Sequence, residues 1–230
     1  MKSTLTRCYE IIVYFTIPFQ KMTRVFREII LLFTTFKIFA YTYQQFLFRK
    51  GVKDLAKDWR YTCYPFMREK SCLVDYEIRT DSLTTRIGDC ISTLKKDARF
   101  NEIRDILEKL QPLAYHVNGS VRGRLAIEQT DIDWLNSVYD DFVERGGEAL
   151  KQFVLPQGHE AATSLHICRS EAKKSYRALH FVSNEKEVPE ILFMFLGLLA
   201  NVFFVLSVEA NKLANVEEIP FISKSYGAFK

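Results

Sequence analysis

The chain has 230 residues, 48% of them hydrophobic and 26% charged, with a formal net charge of +4. That suits one domain plus an extension, with enough apolar material for a sizeable core. Cations and carboxylates are interspersed, and no dense Lys/Arg block is interleaved with aromatics, which argues against nucleic acid as a partner. Cys8, Cys63, Cys72, Cys90 and Cys168 form no C-x-x-C pair and no even framework. They read as free thiols in a reducing, cytoplasmic compartment, with Cys90 and Cys168 in the core. His116, His159, His166 and His180 have no metal-ligand spacing with each other or with cysteine, so no metal site is expected.

Residues 1–72 are aromatic-rich and poor in acids, and read as an N-terminal extension. The tract Ile11 to Phe19 is too short to cross a bilayer. Ile29 to Phe48 is about the length of a span, interrupted by Lys37, Gln44 and Gln45. Three readings stay open for residues 29–48: a membrane anchor, a peripheral or self-packing helix, or a segment foreign to the natural product, Met67 standing just ahead of the regular part.

From Val74 onward the pattern is helical. Asp81 reads as the cap of a first helix bearing Leu83, Ile87, Ile91 and Leu94 on one face. A second runs from about Asn101 through Ile103, Leu107, Leu110 and Val117 and is expected to end before Gly119. A third opens at Thr130 or Asp131 and stops at Gly146-Gly147. A fourth follows the loop Phe153-Val154-Leu155, whose apolar side chains are expected to bury, and the turn residues Pro156 and Gly158. It starts near His159 and sets Ala161, Leu165, Cys168, Ala172 and Leu179 along one stripe. His166, Arg169, Lys173 and Arg177 form a second stripe, which reads either as a solvated face or as an anion pocket. A fifth helix starts after Pro189 and is apolar all round from Ile191 to Leu206 except for Asn201. Such a helix is a membrane span or the rod of a bundle; its limited length and central Asn201 favour the rod. The membrane alternative makes residues 29–48 and 191–208 two spans.

The stretch Phe153-Val154-Leu155-Pro156, Gly158, Ala161-Ala162, Leu165-His166, Arg169 and Arg177 resembles, in order and without gaps, the hallmark of PduO-type ATP:corrinoid adenosyltransferases. Asp81, Leu83, Ile87 and Gly88 resemble a second motif of that family, and the likeness extends from about Val74 to Asn211. It implies an all-α, five-helix up-and-down bundle over residues 73–213 with an irregular tail at 214–230, assembled as a homotrimer. The implied substrates are a corrinoid as cob(I)alamin and ATP with magnesium. By the same resemblance Phe153 packs beneath the corrin and Arg169 and Lys173 are the catalytic pair. Lys174, Arg177 and Asn201 bind the ligands, and Asp81 pairs with Arg169 across the subunit interface. The departures lie on the nucleotide side. The family's Arg-Arg-Ala-Glu-Arg stands here as Lys173-Lys174-Ser175-Tyr176-Arg177, and its last-helix asparagine, arginine and aspartate as Gly197, Leu198 and Asn201. Nothing between Arg49 and Val74 resembles its phosphate loop. Weak or lost catalysis is therefore expected from these residues, with a catalytically inactive corrinoid-binding or interaction protein as the alternative.

Overall fold

The computed structural model describes residues 59–225, so the readings for the tracts 11–19 and 29–48 lie outside it. The chain divides into two units after Tyr64, and everything below concerns the second, Pro65–Lys230. Its described residues form five α-helices and no strand: α1 (Cys72–Leu94), α2 (Asn101–Ser120), α3 (Gln129–Gly146), α4 (Glu160–Val182) and α5 (Glu190–Leu213). The expected all-α bundle is thus what the sequence builds.

The first helix starts well before its expected cap. Ser71 is the N-cap, its hydroxyl accepting from the Leu73 amide at 3.1 Å, and Asp81 lies in mid-helix. The apolar pattern hides this because polar residues share the buried face of the first turns with Val74 and Tyr76. Glu77, Thr80 and Thr84 are buried there, and each is satisfied. The Thr80 hydroxyl donates to Tyr76 O at 2.9 Å, Thr84 to Thr80 O at 2.9 Å, and Arg122 forks onto Glu77 at 2.6 and 3.0 Å. Burying such groups is tolerated only when they are paired. Two other boundaries shift slightly. Ser120 donates to His116 O at 2.6 Å and carries α2 past Gly119. A reciprocal box between Glu128 and Asp131 starts α3 at Gln129 rather than at Thr130 or Asp131.

Helix order in space follows from the cross-links. In α1 and α2, Tyr76 hydroxyl meets Val117 O and Gln111 meets Thr84 O, an antiparallel register. In α2 and α3, Arg145 forks onto Glu102 and Lys109 sits 3.7 Å over the Trp134 ring. The helix α1 also packs along α4, where Ser71 reaches Glu185 at 2.6 Å, and α4 packs antiparallel to α5. With α3 packed on α5, the five helices close an up-and-down bundle. Its rod is α5, which buries Leu192, Phe195, Leu196, Leu199, Phe203, Val205 and Leu206. Length and composition would let α5 cross a membrane, but 61% of its most apolar window is covered by its neighbours. Each large apolar side chain so covered contributes roughly 1.5–3 kcal/mol. Cys90 and Cys168 are buried as free thiols in the α1/α4 seam.

Candidate active site

The entry loop to α4 does not bury as expected. Phe153 is 67% exposed and Leu155 also faces out, while the loop's backbone pairs with the tail. The Phe221 amide donates to Phe153 O at 2.7 Å and the Leu155 amide to Ile219 O at 2.9 Å, forming an isolated antiparallel bridge between Val154 and Pro220. Asn211 at the end of α5 ties both sides together. Its Oδ1 accepts from the His159 amide at 2.9 Å, and its Nδ2 donates to Gln157 O at 3.0 Å and to Glu218 Oε1 at 2.9 Å. His159 caps α4 through Nδ1, which accepts from the Ala161 amide at 3.2 Å. The outcome is a loop tied down through its backbone with Phe153 two-thirds exposed.

Along α4 the predicted cations fall on two sides of one outward face. Arg169 leans toward α5, its guanidinium 4.8 Å over the Phe204 ring, and burial lowers its pKa. Asn201 is exposed on the same stripe of α5 as Gly197 and Phe204. Tyr176 lies beside Gly197, where an added methyl would sit 3.6 Å from the ring, and stacks edge-on against Phe193 with ring centroids 5.5 Å apart. Two positions that depart from the family pattern, Tyr176 and Gly197, are therefore neighbours, an aromatic ring lying over a residue without a side chain.

On the α1 side, Lys173, Lys174 and Arg177 line a cleft of about 560 Å³ together with Asp75, Arg79, Ser170 and Phe181. Arg177 lies 4.4 Å over the Phe181 ring, and Lys174 is held by Glu171 at 2.7 Å. Sequence reasoning missed Arg79 and Asp75. Their only signal is the four-residue spacing that puts both on the flank of α1 beside α4. Asp81 is on the opposite flank, where it accepts from the Tyr115 hydroxyl at 2.9 Å and raises that phenol's pKa. Within one chain, then, the fold brings Lys173, Lys174 and Arg177 together, and keeps Phe153 and Asp81 apart from them.

His166 is buried with Nδ1 3.5 Å from the Ser207 hydroxyl and Nε2 without a hydrogen-bond partner among the described residues. Burial, reinforced by the Arg169 charge, lowers its pKa to about 4. Proton counting fixes the sign: between the unfolded value near 6.5 and about 4 the unfolded chain binds a proton that the folded chain refuses. Stability should fall as pH drops from 6.5 toward 4, by on the order of 2 kcal/mol. Urea denaturation across that range should show the slope flattened in His166→Gln; an unchanged slope would assign it to other groups.

The described residues form an all-α bundle with an exposed aromatic loop at one end of α4 and a cationic face along it, and the chain belongs to the cobalamin adenosyltransferase family, whose model matches residues 67–210. The corrinoid adenosyltransferase of Bacillus subtilis (strain 168) is 22% identical over 146 residues, spanning 61% of this chain and 75% of that protein. Among solved structures, a phenylalanine-to-alanine variant of the PduO-type ATP:corrinoid adenosyltransferase from Lactobacillus reuteri, complexed with cobalamin and ATP, superposes with a TM-score of 0.61. It is 20% identical and covers 67% of this chain and 88% of its own. An arginine-to-lysine variant of that enzyme, complexed with ATP, gives 0.62 at 21% identity over 66% and 89%.

Proposed function

We propose that this chain is a corrinoid adenosyltransferase that moves the 5'-deoxyadenosyl group of ATP onto a reduced corrinoid. The observation that carries the reading is the family match over residues 67–210, taken with an exposed Phe153 on a backbone-locked loop. In the reaction the cobalt(I) lone pair forms a bond to the ribose C5' as the C5'–oxygen bond breaks, and triphosphate leaves with that electron pair. The protein must therefore hold phosphates, fix the corrin and align the two. Phe153 is the wedge beneath the corrin, where a bulky apolar ring disfavours a lower cobalt ligand. Lys173 and Arg177, with Lys174, hold the triphosphate as charge builds on it; Arg169 and Asn201 border the same face. Magnesium accompanying the nucleotide would offset part of the phosphate charge. An inactive corrinoid-binding role is not favoured by the family or its relatives.

The working assembly is a homotrimer in which Asp81 of one copy pairs with Arg169 of the next. Its support is that the two groups point away from each other in one chain: Asp81 faces α2 through Tyr115, and Arg169 faces α5 through Phe204. Membrane contact through residues 29–48 and a cytoplasmic location belong to the same proposal. Arg169→Glu should turn the trimer into monomers in sedimentation velocity, and adding Asp81→Arg should restore it. A trimer that survives Arg169→Glu would reject the pairing.

The test of the activity is anaerobic. Reduced cobalamin is titrated with the full chain and magnesium-ATP, and the absorbance spectrum of adenosylcobalamin should develop. A base-off spectrum without product would replace the transferase reading with corrinoid binding alone.

A further inference from the structure

We propose that Arg79 is a phosphate-contacting residue, so that α1 and α4 together form a polyphosphate cleft standing in for the family's phosphate loop, which nothing between Arg49 and Val74 resembles. The proposal rests on the transferase reading above and extends it to a residue outside the motif of α4. Arg79 is exposed and lines the 560 Å³ cleft from the α1 side, opposite Lys173, Lys174 and Arg177. Four cations face one carboxylate there, Asp75. Lys174 is already neutralised by Glu171 at 2.7 Å. Arg79, Lys173 and Arg177 make no ion pair among the described residues, Arg177 having only the Phe181 ring.

Three other arginines of the bundle are arranged differently. Arg122 is bound to Glu77 and Glu69, Arg145 to Glu102 and Asp141, and Arg99 to Asp97. Among the described residues the cleft gathers like charges from two helices without matching carboxylates, an arrangement that raises the energy of the free protein and is relieved by a multivalent anion. A tri- or diphosphate has the charge and length to touch both walls. Arg79 can fork onto two phosphate oxygens where Lys173 offers only a point charge. Ser170 adds a hydroxyl on the α4 wall, and Phe181 lines the cleft beside Arg177. The single carboxylate makes a further demand: Asp75 repels the same anion, so its removal should strengthen binding.

Inorganic tripolyphosphate is the probe, titrated by calorimetry into the full chain at low ionic strength. Arg79→Gln should weaken binding about tenfold, the effect of losing one charge-assisted contact. Arg79→Lys should recover part of that loss, and Asp75→Asn should tighten binding several-fold. All three variants change side chains at the surface, so circular dichroism should remain that of the parent. If Arg79→Gln binds like the parent while Lys173→Gln and Arg177→Gln weaken, the role of Arg79 is overturned and the α4 cations keep theirs. If the parent does not bind tripolyphosphate at all, the cleft proposal is overturned. Adenosyl transfer measured on the same sample then decides separately whether the transferase reading stands with its nucleotide held elsewhere.

Discussion

Phe153→Ala should cut the rate of adenosylcobalamin formation about a hundredfold while leaving the fold as stable as the parent. The two halves of that expectation have separate origins. Stability is spared because the ring is 67% exposed, so its removal uncovers little apolar surface and leaves no core cavity. The loop itself is held through main-chain groups, Phe153 O and Leu155 N, and through Asn211, none of which depends on the ring. Activity should fall because the proposed wedge is gone: without the ring beneath the corrin the lower cobalt ligand would no longer be displaced, and misalignment of this order costs about two powers of ten. The measurement pairs initial rates with the spectrum of the bound corrinoid and a thermal melt. A variant with the parent's rate would remove the wedge from the mechanism, and one that melts early would show that the ring supports the loop after all. Phe153→Leu, apolar but smaller, should fall between.

The scaffold is legible because it is written in apolar periodicity. Ile103, Leu107 and Leu110 in α2, or Ala161, Leu165, Cys168 and Ala172 in α4, repeat at helical spacing and are all buried. Where burial is polar, periodicity fails. The start of α1 is misplaced by sequence because Glu77, Thr80 and Thr84 look like surface residues until Arg122 and the carbonyls of the preceding turn are seen to satisfy them. The loop misleads for the opposite reason. Phe153-Val154-Leu155 is apolar and expected to bury, but its backbone pairs with the tail at Ile219 and Phe221 and Phe153 stays exposed. No local pattern encodes a pairing between residues so far apart. The same holds for the cleft: Lys173 and Arg177 are visible as a stripe on α4, but only the packing of α1 along α4 brings Arg79 to them.

Gly158→Ala should destabilise the bundle by about 3 kcal/mol, the largest stability effect expected outside the apolar core. Gly158 has φ of +126°, a conformation closed to residues with a side chain. An added methyl would also collide with Asn211 Oδ1 and lie 2.6 Å from its Nδ2. Asn211 cannot step aside. It is buried, and its amide is committed to His159, Gln157 and Glu218, so any rotation orphans groups on both the loop and the tail. Asn211→Ala alone removes these bonds without adding backbone strain and should cost less, about 2 kcal/mol. Because both changes open the same lock, the double variant should lose clearly less than their sum. Urea denaturation of the four proteins gives the coupling directly, and strict additivity would mean that Gly158 matters only for its backbone angle. The functional consequence goes with it: once Asn211 lets go, the bridge from Val154 to Pro220 loses its anchor, so Gly158→Ala should also lose adenosylation at temperatures where the helices remain folded.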